Sequence, residues 1–147
     1  MKLSFTAATE ADMLALGGDL IDAIGAGDVV YLSGDLGMGK TTLVRGLLRG
    51  MGYTGPVKSP SYGLIEDYDF DHPRWPSQVH HLDLYRLTDA EELVYLGPED
   101  LIGPDALMLV EWPERGQPHL PPPTVIMSIA ETEDGGRVLT YERVAAG

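Results

Sequence analysis

The sequence predicts an α/β domain built on a mostly parallel central sheet flanked by helices, with an antiparallel hairpin at its C-terminal end; three observations carry that expectation. Val29 to Leu32 is a short apolar run that leads through a glycine-rich loop into Leu43, Val44, Leu47 and Leu48, which recur at helical spacing. Ala106 to Val110 are five consecutive apolar residues, as expected of a central strand covered on both faces. Thr124 to Ala130 and Val138 to Arg143 flank Glu133-Asp134-Gly135-Gly136, a hairpin signal. At 147 residues the chain, 1–147, is expected to be one domain. That length allows a single core that removes about two thirds of the unfolded surface from water.

In order along the chain, Leu3 to Phe5 reads as a short strand, and Thr9 with Asp12 resembles a capping box with aspartate in place of glutamate. The helix that follows is expected to run to about Ile24, with Met13, Leu16, Leu20 and Ile24 as its buried stripe, and Gly25-Ala26-Gly27 ends it. After the strand from Val29 comes a second helix, opening at Thr41 and stopped by Gly52. Beyond the turn Tyr53 to Pro56 and the loop Val57 to Tyr62, Gly63 to Tyr68 and Gln78 to Leu84 read as strands. Thr88 with Glu91 is a second capping-box signal, predicting a short helix that ends near Gly97-Pro98.

The loop between the Val29 strand and its helix carries G-x-x-x-x-G-K-T, with Gly34, Gly39, Lys40 and Thr41 in the fixed places: the Walker A, or P-loop, pattern. A loop that wraps a triphosphate must turn successive backbone N–H groups inward, and glycine allows the backbone angles this needs. The stretch Gly34 to Thr42, including Gly37, Met38 and Gly39, is therefore the expected phosphate cradle. Lys40 would reach the β- and γ-phosphates, and the Thr41 hydroxyl would ligate the Mg²⁺ that bridges them. The helix N-terminus adds its positive end.

The composition excludes several classes. The chain has no cysteine, which rules out disulfides, thiolate metal sites and cysteine nucleophiles. With 23 acidic and 10 basic residues, its formal charge of -13 opposes a broad nucleic-acid surface. Lys40, Arg45, Arg49 and Lys58 nevertheless cluster around the loop and its helix, where they would either meet phosphate or an acidic partner, or merely solvate a helix face. The N-terminus lacks the apolar run of a signal peptide, and no stretch is long and apolar enough to span a membrane, so a cytoplasmic location is expected.

A P-loop enzyme generally needs a second acid at the end of a neighbouring apolar strand. Glu111 follows Leu107-Met108-Leu109-Val110, whereas Asp83 ends a more polar strand that contains His80 and His81. Glu111 is the better magnesium acid, because the strand beside the P-loop should be the more apolar; Asp83 is then a candidate to orient the attacking water or sense the γ-phosphate. His80 and His81 alternate to opposite faces and read as packed or surface residues. Glu66, Asp67, Asp69 and Asp71 lack the spacing of a calcium loop and read as a solvated strand edge and turn.

Four blocks together resemble the TsaE (YjeE) family, the ATPase component of bacterial tRNA threonylcarbamoyladenosine synthesis. They are Gly34-Asp35-Leu36-Gly37-Met38-Gly39-Lys40-Thr41-Thr42, Val57-Lys58-Ser59-Pro60-Ser61-Tyr62, His81-Leu82-Asp83-Leu84-Tyr85-Arg86-Leu87 and Leu109-Val110-Glu111-Trp112-Pro113-Glu114-Arg115-Gly116. The main departure is Ser61, where threonine is common; serine keeps the hydroxyl. The resemblance implies that Thr41 and Glu111 hold magnesium, that Ser61 lies in a switch-like loop and that Asp83 is needed for turnover. It places Thr9 and Glu10 near the adenine and Arg115 close to the nucleotide. It also implies TsaD and TsaB as partners, with tRNA engaged through them.

Competing classes leave different marks. A P-loop small-molecule kinase should show an arginine-rich lid, whereas the stretch Trp112 to Pro123 holds only Arg115. A GTPase needs an asparagine-based guanine reader, and the chain contains no asparagine. A non-catalytic nucleotide-gated adaptor would bind ATP without useful turnover, which hydrolysis assays distinguish.

Overall fold

The computed structural model describes residues 2–35, 37–57 and 65–144, so Ser61 and the expected strand start at Gly63 lie outside the described residues. Among these, seven strands form one sheet: β1 (Lys2–Ala7), β2 (Val29–Ser33), β3 (Ile65–Asp69), β4 (Gln78–Asp83), β5 (Ala106–Glu111), β6 (Val125–Glu131) and β7 (Arg137–Arg143), in the order β1-β7-β6-β2-β5-β4-β3. The middle strands β6, β2, β5 and β4 are mutually parallel, and β7, β1 and β3 add antiparallel pairings at the two sides. The sheet is thus mixed, with the expected β6–β7 hairpin continued by β1. The P-loop strand β2 lies between β6 and β5, and β5 separates it from β4.

The helices α1 (Glu10–Asp19) and α2 (Lys40–Gly50) share one face. Met13 and Leu16 of α1 and Leu43, Val44, Leu47 and Leu48 of α2 pack there on Val30, Leu32, Leu107, Leu109, Val125 and Met127. The Thr9–Asp12 capping box opens α1 as expected, with Asp12 N donating to Thr9 Oγ1 at 3.1 Å. The helix ends earlier than its apolar pattern suggested, but Leu20 and Ile24 reach the same core from the turns that follow. On the opposite face Val29, Tyr31, Leu82, Met108 and Val110 are covered by Leu84, Leu87, Leu93 and Leu120, without an α-helix among the described residues. The helix expected from Thr88 is a 3₁₀ helix, Ala90–Leu96, capped by Asp89, whose side chain accepts from Glu91 N at 3.0 Å. With Gly97 in the left-handed region and Pro98 next, too few residues remain to nucleate an α-helix.

Where α1 crosses α2 the contact is glycine to glycine. A Cβ on Gly17 would stand 2.6 Å from the Gly46 carbonyl carbon, and one on Gly46 would strike the Leu14 carbonyl oxygen. The obstacle is backbone, so relief requires the helices to part. Gly46→Ala is expected to destabilise the fold by about 3 kcal/mol, at the upper end for overpacking; urea melts of the variant and the parent measure it.

The start of β2 is pinned by Asp28. Its carboxylate accepts from Arg143 Nη1 at 2.9 Å, Thr124 Oγ1 at 2.8 Å and Gly25 N at 2.9 Å, tying β2 to β6 and β7. Burial pushes the Asp28 pKa up, but the hydrogen bonds from Arg143, Thr124 and Gly25 outweigh it and hold the group below its ordinary 3.8. With the folded value depressed, this stabilisation is complete above the unfolded pKa and is lost as pH falls through the folded one. Asp28→Asn should lower stability at neutral pH by about 1–2 kcal/mol, and the gap from the parent should narrow as pH falls below the ordinary Asp value and through the depressed folded one, as read in pH-dependent thermal melts.

Candidate functional site

The glycine loop follows β2 and delivers the chain into α2. Gly37 and Gly39 hold φ of +82° and +105°, which side-chain-bearing residues rarely adopt, and Gly39 is the N-cap of α2. The first N–H groups of α2 have no intrahelical acceptor and suit an anion. Gly34 is not among the residues of this loop that line the adjoining cleft: its carbonyl accepts a hydrogen bond from Lys40 Nζ, and a Cβ there would stand 2.7 Å from the Ile129 carbonyl oxygen.

Lys40 is buried, and its ammonium lies 3.7 Å from the centre of the Trp112 ring. Burial lowers its pKa below the ordinary lysine range, against the opposing pull of Glu111, Asp83, Glu114 and Asp35. Trp112 is in the left-handed region, with φ 58°, the one non-glycine residue so placed among the described residues. A bulky residue at positive φ is an outlier, of a kind that collects at binding sites. Here the turn between Glu111 and Pro113 presents the indole to Lys40. The Tyr85 ring packs on Trp112 with centroids 5.0 Å apart.

The parallel register sets Asp83 of β4 opposite Glu111 of β5. Glu111 is buried, and its Oε2 accepts from Thr41 Oγ1 at 3.3 Å and lies 2.6 Å from His81 Nε2. Asp83 Oδ1 accepts from Tyr85 N at 3.1 Å, which sets the turn after β4. A hydroxyl and a carboxylate converging at the head of α2 are hard oxygen donors. Mg²⁺ suits such a pair, since it is held by one or two carboxylates together with phosphate and water oxygens.

These groups line a cleft of about 480 Å³, a size ordinary for a small-molecule site. Gly37, Met38, Gly39, Lys40, Thr41 and Thr42 line it, as do Asp83 and Glu111. Thr9 and Glu10, at the capped start of α1, line it together with Met13. Arg115 does not line it: it is exposed, donates from Nη1 to the Tyr85 carbonyl at 2.8 Å and stacks 5.0 Å from the Tyr85 ring. Glu66, Asp67 and Asp69 lie on the edge strand β3, and Asp67 is paired with His80 Nδ1 at 2.6 Å on the sheet face away from the cleft.

Sequence reasoning missed two contributors. Arg137, beside Gly135 at the β6–β7 turn, lines the cleft together with Ala8, and only the sheet order brings that distant hairpin beside the P-loop strand. His81 reads from the sequence as a packed or surface residue; it is packed, and it also contacts Glu111. The available signal was its spacing of two from Asp83, which puts both side chains on one face.

The family model described as threonylcarbamoyl adenosine biosynthesis protein TsaE matches residues 7–139. The chain is 44% identical over 110 residues to the Haemophilus influenzae tRNA threonylcarbamoyladenosine biosynthesis protein TsaE, covering 75% of this chain and 67% of that one. It is 38% identical over 136 residues to the Nostoc protein of the same name, covering 88% and 79%. The crystal structure of Bacillus subtilis YdiB superposes with a TM-score of 0.74 at 26% identity, covering 99% of this chain and 87% of that one. The α/β fold is the same.

Proposed function

The chain belongs to the TsaE family of threonylcarbamoyl adenosine biosynthesis proteins, and we propose that it is a magnesium-dependent ATPase that supports tRNA threonylcarbamoyladenosine (t6A) modification together with TsaD and TsaB. The observation that carries the ATPase reading is the meeting of Thr41 Oγ1 and Glu111 Oε2, at 3.3 Å, at the head of the helix that begins with Lys40. Bound Mg²⁺ would neutralise charge on the β- and γ-phosphates.

The chain's own groups divide the work. The loop N–H groups and the start of α2 bind phosphate oxygens, and Lys40 exchanges its Gly34 carbonyl for them. Thr41 and Glu111 hold the metal. Asp83, in register with Glu111, orients the attacking water. Thr9 and Glu10 receive the adenosine end, with Arg137 beside them, while Ser61 acts as a switch hydroxyl and Arg115 braces Tyr85 and Trp112. Among the described residues no helix is long and apolar enough to cross a membrane. The acidic surface, formal charge -13, suits a component that leaves tRNA to its partners. A tRNA-modifying role sets the work in the cytoplasm.

Magnesium titrations with ATP, followed through Trp112 fluorescence, test the assignment. Glu111→Gln is expected to raise the magnesium requirement for nucleotide binding at least about tenfold, or about 1.4 kcal/mol. Asp83→Asn should bind nearly as the parent does but turn over about 10²-fold more slowly. The opposite order would exchange their roles, and a parental magnesium response in both would sink the metal site.

A further inference from the structure

We propose that His81 is the positioning residue for Glu111, holding the carboxylate in the orientation that receives Mg²⁺; this rests on the reading of Glu111 as the magnesium acid. His81 is completely buried on β4, and the alternation of the strand puts it on the same face as Asp83. Its Nε2 lies 2.6 Å from Glu111 Oε2 across the β4–β5 pairing. A carboxylate has no proton to give, so the imidazole N–H donates. Glu111 Oε2 is thereby fixed between two donors, His81 and Thr41.

The imidazole is not needed as filler. Its Nδ1 is buried and has no hydrogen-bond partner among the described residues, a desolvation penalty that an apolar side chain of similar size avoids. The polarity of His81 has one described outlet, and that is Glu111. Glu111 needs such a donor, because Asp83 stands opposite it in the sheet and two neighbouring carboxylates repel one another. Partners of this kind, which hydrogen-bond a ligating group, change metal affinity about 10–100-fold when removed.

The adjacent histidine supplies an internal control. His80 is also buried and also 2.6 Å from a carboxylate, Asp67, but on the opposite face of the sheet and outside the cleft. The test uses the full chain and a non-hydrolysable ATP analogue, with magnesium titrated into His81→Leu, His81→Gln, His81→Asn and His80→Leu. Nucleotide affinity in EDTA and thermal melting are measured alongside.

His81→Leu is expected to raise the half-saturating magnesium concentration about 10–100-fold while metal-free nucleotide affinity changes little. His81→Gln, which keeps an N–H of similar reach, should restore most of the parental response; His81→Asn, too short to reach Glu111, should not. His80→Leu should titrate as the parent does. A parental magnesium response in His81→Leu overturns the proposal, as does an equal loss of metal-free binding, which marks a merely structural role. Should His81→Leu fail to fold, equal magnesium dependence of the Gln and Asn variants overturns it equally. A parental response in Glu111→Gln instead removes the magnesium assignment beneath it, so the two failures are distinguishable.

Discussion

Lys40→Ala is expected to abolish the rise in melting temperature that Mg-ATP gives the parent and to slow turnover by about 10²–10³-fold, the scale of losing one preorganised donor at a site of developing charge. The ammonium is the only lysine cation in the described cleft, held against the Gly34 carbonyl and the Trp112 ring. Because burial works against its charge, a phosphate oxygen that takes the place of the neutral Gly34 carbonyl gives the ammonium a charge-assisted hydrogen bond. Ligand-dependent stabilisation follows RT ln(1 + [L]/Kd), so thermal melts across an ATP series read the affinity directly. A parental shift with parental turnover would remove the P-loop assignment.

The isolated chain is expected to turn over slowly, because the transition-state arginine that accelerates phosphoryl transfer about 10³–10⁵-fold has no internal source close to Lys40, Asp83 and Glu111 among the described residues. Arg115 is occupied by the Tyr85 carbonyl and the two aromatic rings, and Arg86 is exposed outside the cleft lining. Arg137 belongs to the hairpin side, donating to the Gly135 and Gly136 carbonyls and lying 3.9 Å from Glu131. We therefore expect TsaD and TsaB to complete or order the site. Steady-state phosphate release with and without those proteins, run beside multiple-turnover tRNA modification, measures it. A rate of about 1–100 per second for the chain alone, with neither rate nor modification altered by the partners, would refute this mechanism.

Local rules reached far into this chain. The glycine loop, the start of α2, the Thr9–Asp12 cap and the apolar runs of β2 and β5 are consequences of neighbours within a few residues, and all are present in the structure. The choice of Glu111 as the acid nearest the P-loop strand followed from apolarity alone, since a strand covered on both faces must be the more hydrophobic one, and β5 does pair with β2. The 3₁₀ helix at Ala90–Leu96 is where a local rule failed: the Thr88–Glu91 spacing resembled a cap, but Asp89 forms it and Gly97 closes the segment too soon. The placement of Arg137 on the cleft, the packing of Trp112 over Lys40 and the contact of His81 with Glu111 were decided only by the tertiary structure. Each joins side chains from strands or loops far apart in sequence, and such pairings depend on the strand order and register of the whole sheet, whereas the P-loop is legible because its backbone geometry constrains residues that follow one another along the chain.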